Sequence, residues 1–567
     1  MVDTSGWPVM SINMANAALT APDSPYETDE IIIRGRPTTV WKNALPTLGH
    51  VLRHLVQHEA LTFAVYGDER ITYAGFLRAV ETLAADLIAQ RVGKGDRVAL
   101  AMRNLPEWPV VFFAVTAIGA IVVPLNAWWT GQELTNALID ADAEVLIGDA
   151  ERIDRIATHR GSLPQLRDVI VARAEREGAR SLDSIIGKAD EWHQLPPAPL
   201  PPVHVEPDDH ATIFYTSGTM GSPKGVLGSH RAILTTPFTQ TYAYARALLR
   251  AGETIPAPKP KVLLCAVPFF HVTGCHSSML TSMLVGSKLV MVHRWEAGEV
   301  LRLIEKERVT ITGGVPTLAW QLLEHPDRTR YDLSSLEVIA YGGAPAAPEL
   351  ARRLSSDLPG EASTGWGMTE TSATVTSHVR EEYALHPESC GLSTPVSRLR
   401  IVDPDTGEIL GIDAIGELQV YGPMVVEGYW RKPEETASTF VDGWLRTGDL
   451  ARIDAEGFCF VVGRAKDLII RGGENIYPAE IEAALFEHPA VDDAAVVGIK
   501  HRTLGEEPAA VVHLVPGHDA PEQELRAWVA ARLAAFKVPV RIVALPHVLP
   551  RNATGKVVKK ELERLFT

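Results

Sequence analysis

Apolar positions along this chain fall into two alternating patterns from about Gly67 onward. FLRAVETLAADLIAQ (Phe76–Gln90) has helical spacing, GDRVALAM (Gly95–Met102) reads as turn and strand, VFFAVTAIGA (111–120) as helix and AEVLIGD (Ala143–Asp149) as strand. Short strand signals return at Lys261–Val267, Lys288–Val292 and Leu336–Ala340, with helical runs such as VLRLIEKER (300–308) between them. Helices alternating with buried β-branched runs predict layered α/β architecture. Beyond about Gly422 the texture changes to charged turns and short strands. IYPAEIEAALFEH and EQELRAWVAARLA then read as helices, with AAVVGIK and AAVVHLV as strands. The last hundred residues are expected to form a compact α+β unit, bounded between Gly463 and Asp467. Residues 1–50 read as an irregular leader. The proline-rich stretch at residues 192–210 reads as a surface connector within one α/β texture.

One stretch is apolar enough to test for a membrane span: WPVVFFAVTAIGAIVVPLNAWW, Trp108–Trp129. Pro109 and Pro124 frame it and Gly119 divides it, so a buried helix turning into a buried strand is expected. No secretory signal is visible in MVDTSGWPVM, and cytoplasmic residence is the default expectation. Weak contact with a bilayer that stores an apolar substrate stays compatible with this reading.

Length and composition narrow the class. A chain of 567 residues exceeds one hydrophobic core and predicts two or more domains. A formal charge of -16 argues against a broad nucleic-acid footprint, which needs a basic face. Anionic small molecules remain open, because a nucleotide needs only a few local donors and cations. The four cysteines, Cys265, Cys275, Cys390 and Cys459, make no CxxC pair and suggest neither a disulfide scaffold nor a zinc module.

Four clusters carry candidate chemistry. YTSGTMGSPKG (Tyr215–Gly225) follows the apolar ATIF and offers Thr216, Ser217, Gly218, Thr219 and Lys224 to phosphate oxygens. Its spacing fits neither a Walker loop nor a dinucleotide turn. STGWGMTETS (Ser363–Ser372) sets Trp366 between Gly365 and Gly367 in what reads as a glycine-lined loop, suited to stacking on a base or to core packing. Thr369 and Glu370 follow, and Glu370 beside a triphosphate suits Mg²⁺. DGWLRTGDL puts Asp449 in a turn with Gly448, where it could accept from ribose hydroxyls, and Arg464 ends a strand with donors for the sugar or phosphate. PRNATGKVVKKEL presents Lys556 on a turn, where a lysine is ordinarily only solubilising.

Taken in this order, the clusters resemble the adenylate-forming superfamily of acyl-CoA synthetases, peptide-synthetase adenylation domains and firefly-type luciferases. The resemblance runs from about residue 60 to 560, and RGGENIYPAEIE is similar to the version in medium- and long-chain fatty-acyl or aryl-CoA ligases. It implies a large AMP- and acid-binding domain at 51–463, a hinge at 464–466 with Lys466, and a mobile domain at 467–567 bearing a catalytic lysine, Lys556. It implies ATP, Mg²⁺ and CoA. Ser217, Thr219 and Lys224 would hold the β- and γ-phosphates, with Thr216, Gly218, Gly343, Ala344, Pro345 and Gly367 around the nucleotide. Trp366 would stack on adenine where most relatives carry tyrosine. Thr369 would contact phosphate, Glu370 would bind the metal, and Asp449 with Arg464 would hold the ribose. His271, Gly313 and Gly342 would shape or gate the acid pocket, and Gly472–Gly473 would face CoA.

The implied reaction joins a carboxylic acid to AMP with loss of pyrophosphate, then passes the acyl group to CoA. A medium- or long-chain fatty acid, an aryl acid or a steroid-like acid is expected over acetate, because the residues near Gly313 and Gly342 are small or apolar. No aspartate for a substrate amine stands in AYGGAPAAP (Ala340–Pro348). Carrier-protein loading, β-lactone closure without CoA, and a non-catalytic acyl or nucleotide sensor remain as alternatives. A homodimer is the fair prior for such an enzyme.

Overall fold

The computed structural model describes residues 7–200, 202–216, 223–343, 348–472, 474–551 and 557–566. Its architecture is α/β: a large layered α/β portion followed by a smaller α+β unit. The leader is not irregular. Ile12–Leu19 is helical, capped by the Ser11 side chain accepting from Met14 N–H, and Thr28–Ile33 pairs antiparallel with Arg36–Trp41. TDEIII and RPTTVW carry no polar–apolar alternation, and Ile32 is exposed, so periodicity did not mark these strands.

Local signals account for the main elements. The helix Tyr73–Ala89 starts where Thr72 Oγ1 accepts from Gly75 N–H, and it buries Tyr73, Phe76, Val80, Leu83 and Leu87 along one face. Trp108–Trp129 divides as its proline and glycine placement predicts, into the buried helix Glu107–Ala117 and the buried strand Ile121–Pro124. Among the described residues, no helix is long and apolar enough to cross a membrane.

The elements that build the site are named in chain order. Strands β1 (His210–Tyr215) and β2 (Gly225–Ser229) pair antiparallel at one edge of a seven-stranded sheet. Helix α1 (His230–Arg250) follows directly, capped by Ser229. Strands β3 (Val262–Cys265), β4 (Ile311–Gly314), β5 (Val338–Tyr341) and β6 (Glu361–Met368) run parallel within a fourteen-stranded sheet. Strand β7 (Ala373–Val379) returns antiparallel along β6. An eight-residue π-helix, Thr273–Leu280, packs beside α1. The last strands of this sheet in chain order are β8 (Trp444–Ile453) and β9 (Phe458–Arg464), interior to it and paired antiparallel. A separate five-stranded sheet spans Ile469–Leu545, with the helices Pro478–Phe486 and Glu522–Ala530 burying Ile481, Leu485, Leu525 and Val529 against it.

The far end of α1 is held by charge. Arg246 and Glu382 are fully buried and paired at 2.9 Å, Arg250 adds a bond of 3.0 Å to the same carboxylate, and Arg246 Nη2 donates to the Ser377 carbonyl of β7. A buried carboxylate shared by two guanidinium groups is expensive to desolvate but costly to break, so it fixes the helix against the strand.

Candidate active site

A single cleft of about 2600 Å³ joins most of the sequence-nominated residues that the structure describes. Its lining includes Thr216, Lys224, His271, Gly313, Gly342, Gly343, Trp366, Gly367, Thr369, Glu370, Asp449, Arg464 and Lys466. Gly472 lies outside this lining: it sits at φ +59° in the turn after Ile469–Arg471, its N–H donating to the Leu504 carbonyl. Ser217, Gly218, Thr219, Ala344, Pro345, Gly473 and Lys556 lie outside the described residues. The flanks of the lysine segment do reach the cleft. Arg551 and Val557 pair across residues 552–556, and both line it together with Val558 and Lys559.

The glycine-rich run joins β1 to β2, and its described flanks are bonded to each other. Thr216 N–H donates to the Lys224 carbonyl at 3.0 Å, and Lys224 N–H donates to Thr216 Oγ1 at 3.2 Å. Gly225 is required there, because a Cβ would approach Ile213 Cγ2 to 2.7 Å. Lys224 Nζ lies 4.7 Å from the centre of the Tyr429 ring, a cation–π distance. The Tyr429 hydroxyl donates to Glu370 Oε1 at 2.9 Å. Tyr429 thus links the loop lysine to the carboxylate that follows β6. Sequence reasoning missed it. Its only signal was an aromatic pair, Tyr429-Trp430, between Gly428 and Pro433.

Glu370 is 6% exposed and sits on the short 3₁₀ turn Thr369–Thr371. Ser372 and Ala373 then adopt φ +52° and +105°, a strained path for non-glycine residues that turns the chain back into β7. Burial holds the Glu370 carboxyl above the usual range, opposed by the Tyr429 hydroxyl and by the charges of Arg464 and Lys224. Among the described residues no three metal-ligating side chains converge. One buried carboxylate still suits Mg²⁺, which takes one or two protein carboxylates and fills its octahedron with phosphate and water oxygens.

Two expected loops are strands. Trp366 sits in β6, opposite Thr376 of β7, and not in a free glycine-lined loop. Asp449 sits within β8, not in a turn, and faces Arg464 of β9 in register. Gly448, at φ +69°, and the irregular register after Leu450 gave the turn-like pattern. Asp449 is 4% exposed. Arg464 Nε lies 2.5 Å from its Oδ1, and Trp366 Nε1–H donates to its Oδ2 at 2.9 Å. The indole is therefore both a flat cleft wall and a donor that fixes a carboxylate. Lys466 stands two residues beyond Arg464 on the 3₁₀ turn Ala465–Asp467, where partial burial pushes its pKa down.

His271 lines the cleft with its ring centre 4.7 Å from that of Phe270. His276, five residues on, lies in the π-helix and outside the cleft lining. It is buried, its Nδ1 lies 3.0 Å from the Ser372 carbonyl, and burial pushes its pKa down to about 4, so it is neutral near pH 7. It supports the strained turn beside Glu370.

The cleft continues under the sheet. It follows β3, β4, β5 and β6 from Gly314, Gly342 and Met368 at their ends back to Lys261, Glu337 and Glu361 at their starts. Gly313 admits this close sheet packing, since a Cβ would stand 1.7 Å from the Ala340 carbonyl oxygen. Ala340 is exposed within an interior strand, so this face of the sheet is bare. Helix α1 and the π-helix form the opposite wall.

The family model "AMP-binding enzyme" matches residues 51–430, and "AMP-binding enzyme C-terminal domain" matches residues 480–556. A feruloyl-CoA synthase of Amycolatopsis sp is 36% identical over 501 residues, covering 88% of this chain and 95% of that protein. A long-chain-fatty-acid–CoA ligase of Bacillus subtilis (strain 168) is 32% identical over 548 residues, covering 91% and 95%. Among solved structures, the anthranilate CoA ligase AuaEII in complex with anthranoyl-AMP superimposes with a TM-score of 0.81 at 26% identity, covering 92% of this chain and 97% of that one.

Proposed function

The chain belongs to the AMP-binding enzyme family, and on that premise we propose that it is an acid–thiol ligase which activates a bulky or long apolar-framed carboxylic acid with ATP and transfers it to CoA. The acid is already ionised near neutrality, so no general base is needed. Its carboxylate attacks the α-phosphorus of ATP, the bond to pyrophosphate breaks, and an acyl-adenylate forms. Lys224 and the bonded flanks of the glycine-rich run hold the phosphates. Trp366 offers a face to adenine, and Asp449 with Arg464 holds the ribose. Glu370 and Thr369 lie where the phosphoryl oxygens gather. When bound through Glu370, Mg²⁺ would neutralise charge developing on those oxygens and on the leaving pyrophosphate. Lys556, on the segment whose flanks line the cleft, would supply the remaining positive charge at the α-phosphate. A thiolate of CoA then attacks the acyl carbon and AMP leaves. Rotation at Lys466 to bring Gly472-Gly473 to the acyl group is part of the proposal.

The trough beneath β3–β6 carries the choice of acid. Strand Glu361–Gly365 alone gives it a length of ~13 Å at ~3.3 Å per residue, far beyond an acetyl group. Its floor of Ala340, Gly313 and Gly365 is shallow relief that accepts chains or fused rings. The names of the relatives, feruloyl- and long-chain-fatty-acid–CoA enzymes among them, support both kinds of acid. A panel of aliphatic, aryl and polycyclic acids, read as AMP release with and without CoA, tests this. Acids larger than butyrate should be preferred, with thioester formed only when CoA is present. A preference for acetate would defeat the acid class, and AMP release with no thioester from CoA would defeat the acceptor.

A further inference from the structure

The wall of the trough that faces the bare sheet is not apolar. Gln240 of α1, Thr374 of β7, Ser277 of the π-helix and Thr281 just beyond it all line the cleft and bond to one another. Thr281 Oγ1 donates to Gln240 Oε1 at 2.8 Å. Gln240 Nε2 donates to Thr374 Oγ1 at 3.4 Å. Ser277 Oγ and Thr374 Oγ1 are hydrogen-bonded at 2.9 Å, and the Thr281 hydroxyl proton also faces the His276 carbonyl at 3.2 Å. Thr374 stands opposite Gly367 in the β6–β7 register, so this belt crosses the trough beside the Trp366–Glu370 segment.

The protons of the belt can be counted. Gln240 brings two amide N–H groups, and Thr281, Thr374 and Ser277 bring one hydroxyl proton each, five in all. The three bonds among the four side chains take three of them. One amide N–H and one hydroxyl proton are left without a partner in the belt, on side chains that line the cleft. A trough meant only for methylenes or bare rings would pay for this desolvation with nothing in return.

We infer that the acid carries a hydrogen-bond-accepting oxygen on its carbon skeleton, a hydroxyl, carbonyl or ether oxygen apart from the reacting carboxylate, and that Gln240 and the paired hydroxyls of Thr374 and Ser277 read it. The inference rests on the reading that the acid occupies the trough. Sites that hydrogen-bond a substrate oxygen discriminate against the analogue lacking it far more strongly than an apolar pocket discriminates one methylene. The Gln240–Thr374 contact is long and the belt is only partly buried, so a preference of about tenfold or more is expected rather than the much larger ratios of fully enclosed sites.

The test compares matched acids that differ only in that oxygen: cinnamate with 4-hydroxycinnamate and 4-methoxycinnamate, and decanoate with its hydroxydecanoates. The full chain is assayed for AMP release in the presence of CoA. The oxygenated member of at least one set should be preferred by about tenfold or more in kcat/KM. Gln240→Leu and Thr374→Val should shrink that ratio to below about threefold, and Thr374→Ser, which keeps the hydroxyl, should restore it. Thermal midpoints separate loss of recognition from loss of fold, and Gln240→Leu set against Thr374→Ser decides the question if Thr374→Val does not fold. Wild-type enzyme that activates large acids without regard to oxygen would overturn the inference and leave the trough reading standing. So would a preference that survives both Gln240→Leu and Thr374→Val. Wild-type enzyme confined to acetate would defeat the trough reading itself.

Discussion

Trp366 combines two roles that a phenylalanine would split. Its ring face serves the cleft, while its Nε1–H holds Asp449 Oδ2 at 2.9 Å opposite the bond from Arg464. A hydrogen bond to a charged group contributes about 1.5–3 kcal/mol. Trp366→Phe keeps a ring and deletes the donor. It should raise KM for ATP by roughly tenfold or more and narrow the discrimination between ATP and 3′-deoxy-ATP, measured by pyrophosphate exchange. An unchanged ratio between the two nucleotides would detach the indole from ribose recognition. That Trp366 is placed at the cleft agrees with the expectation drawn from its flanking Gly365 and Gly367, and stacking on adenine stays part of the proposal. The donor half was not legible in the sequence, since Trp366 and Asp449 are 83 positions apart and meet only through sheet register. Tyr429 was illegible for the same reason. Its value lies in touching both Lys224 and Glu370, a fact of packing and not of spacing.

At the scale of elements, periodicity carried the buried helices and parallel strands well. Glu107–Ala117 and Ile121–Pro124 fall where the apolar run divides, and Pro478–Phe486 begins at its predicted proline. It failed where glycine serves a strand. Gly365 and Gly367 lie in β6 because Cβ atoms would strike the carbonyl oxygens of Thr376 and Ala373 on β7, so a pattern that looks like a loop is a close sheet contact. The π-helix was also beyond reach, because its widened turn leaves no distinct sequence period and such turns gather at functional sites. The bare strand β5 gives an element-level prediction. Ala340→Phe should fill the trough at mid-length, lowering kcat/KM for long or polycyclic acids at least tenfold relative to butyrate. Equal effects on both acids would place Ala340 away from the acid path.

For the whole molecule, three buried histidines link stability to pH. Burial is the first cause in each case, pushing His230 and His276 down to about 4 and His378 down to about 3. The unfolded chain binds these protons near pH 6.5 while the folded chain refuses them until the lower values. Stability is therefore complete above about 6.5 and is lost as pH falls toward 4. Urea midpoints measured between pH 7.5 and 4.5 should decline on the acid side, and His378→Phe should flatten part of that slope. A midpoint independent of pH across this window would contradict the burial of all three.

The trough also has a consequence for kinetics. Its distant end is lined by Ile255, Lys259 and Glu337, all exposed, while the end proposed for the nucleotide is lined by Lys224, Trp366 and Asp449. A passage with its own doorway leaves neither reactant standing in the other's way. Acid and ATP are then free to arrive in either sequence, and initial-rate patterns should show random addition before pyrophosphate departs.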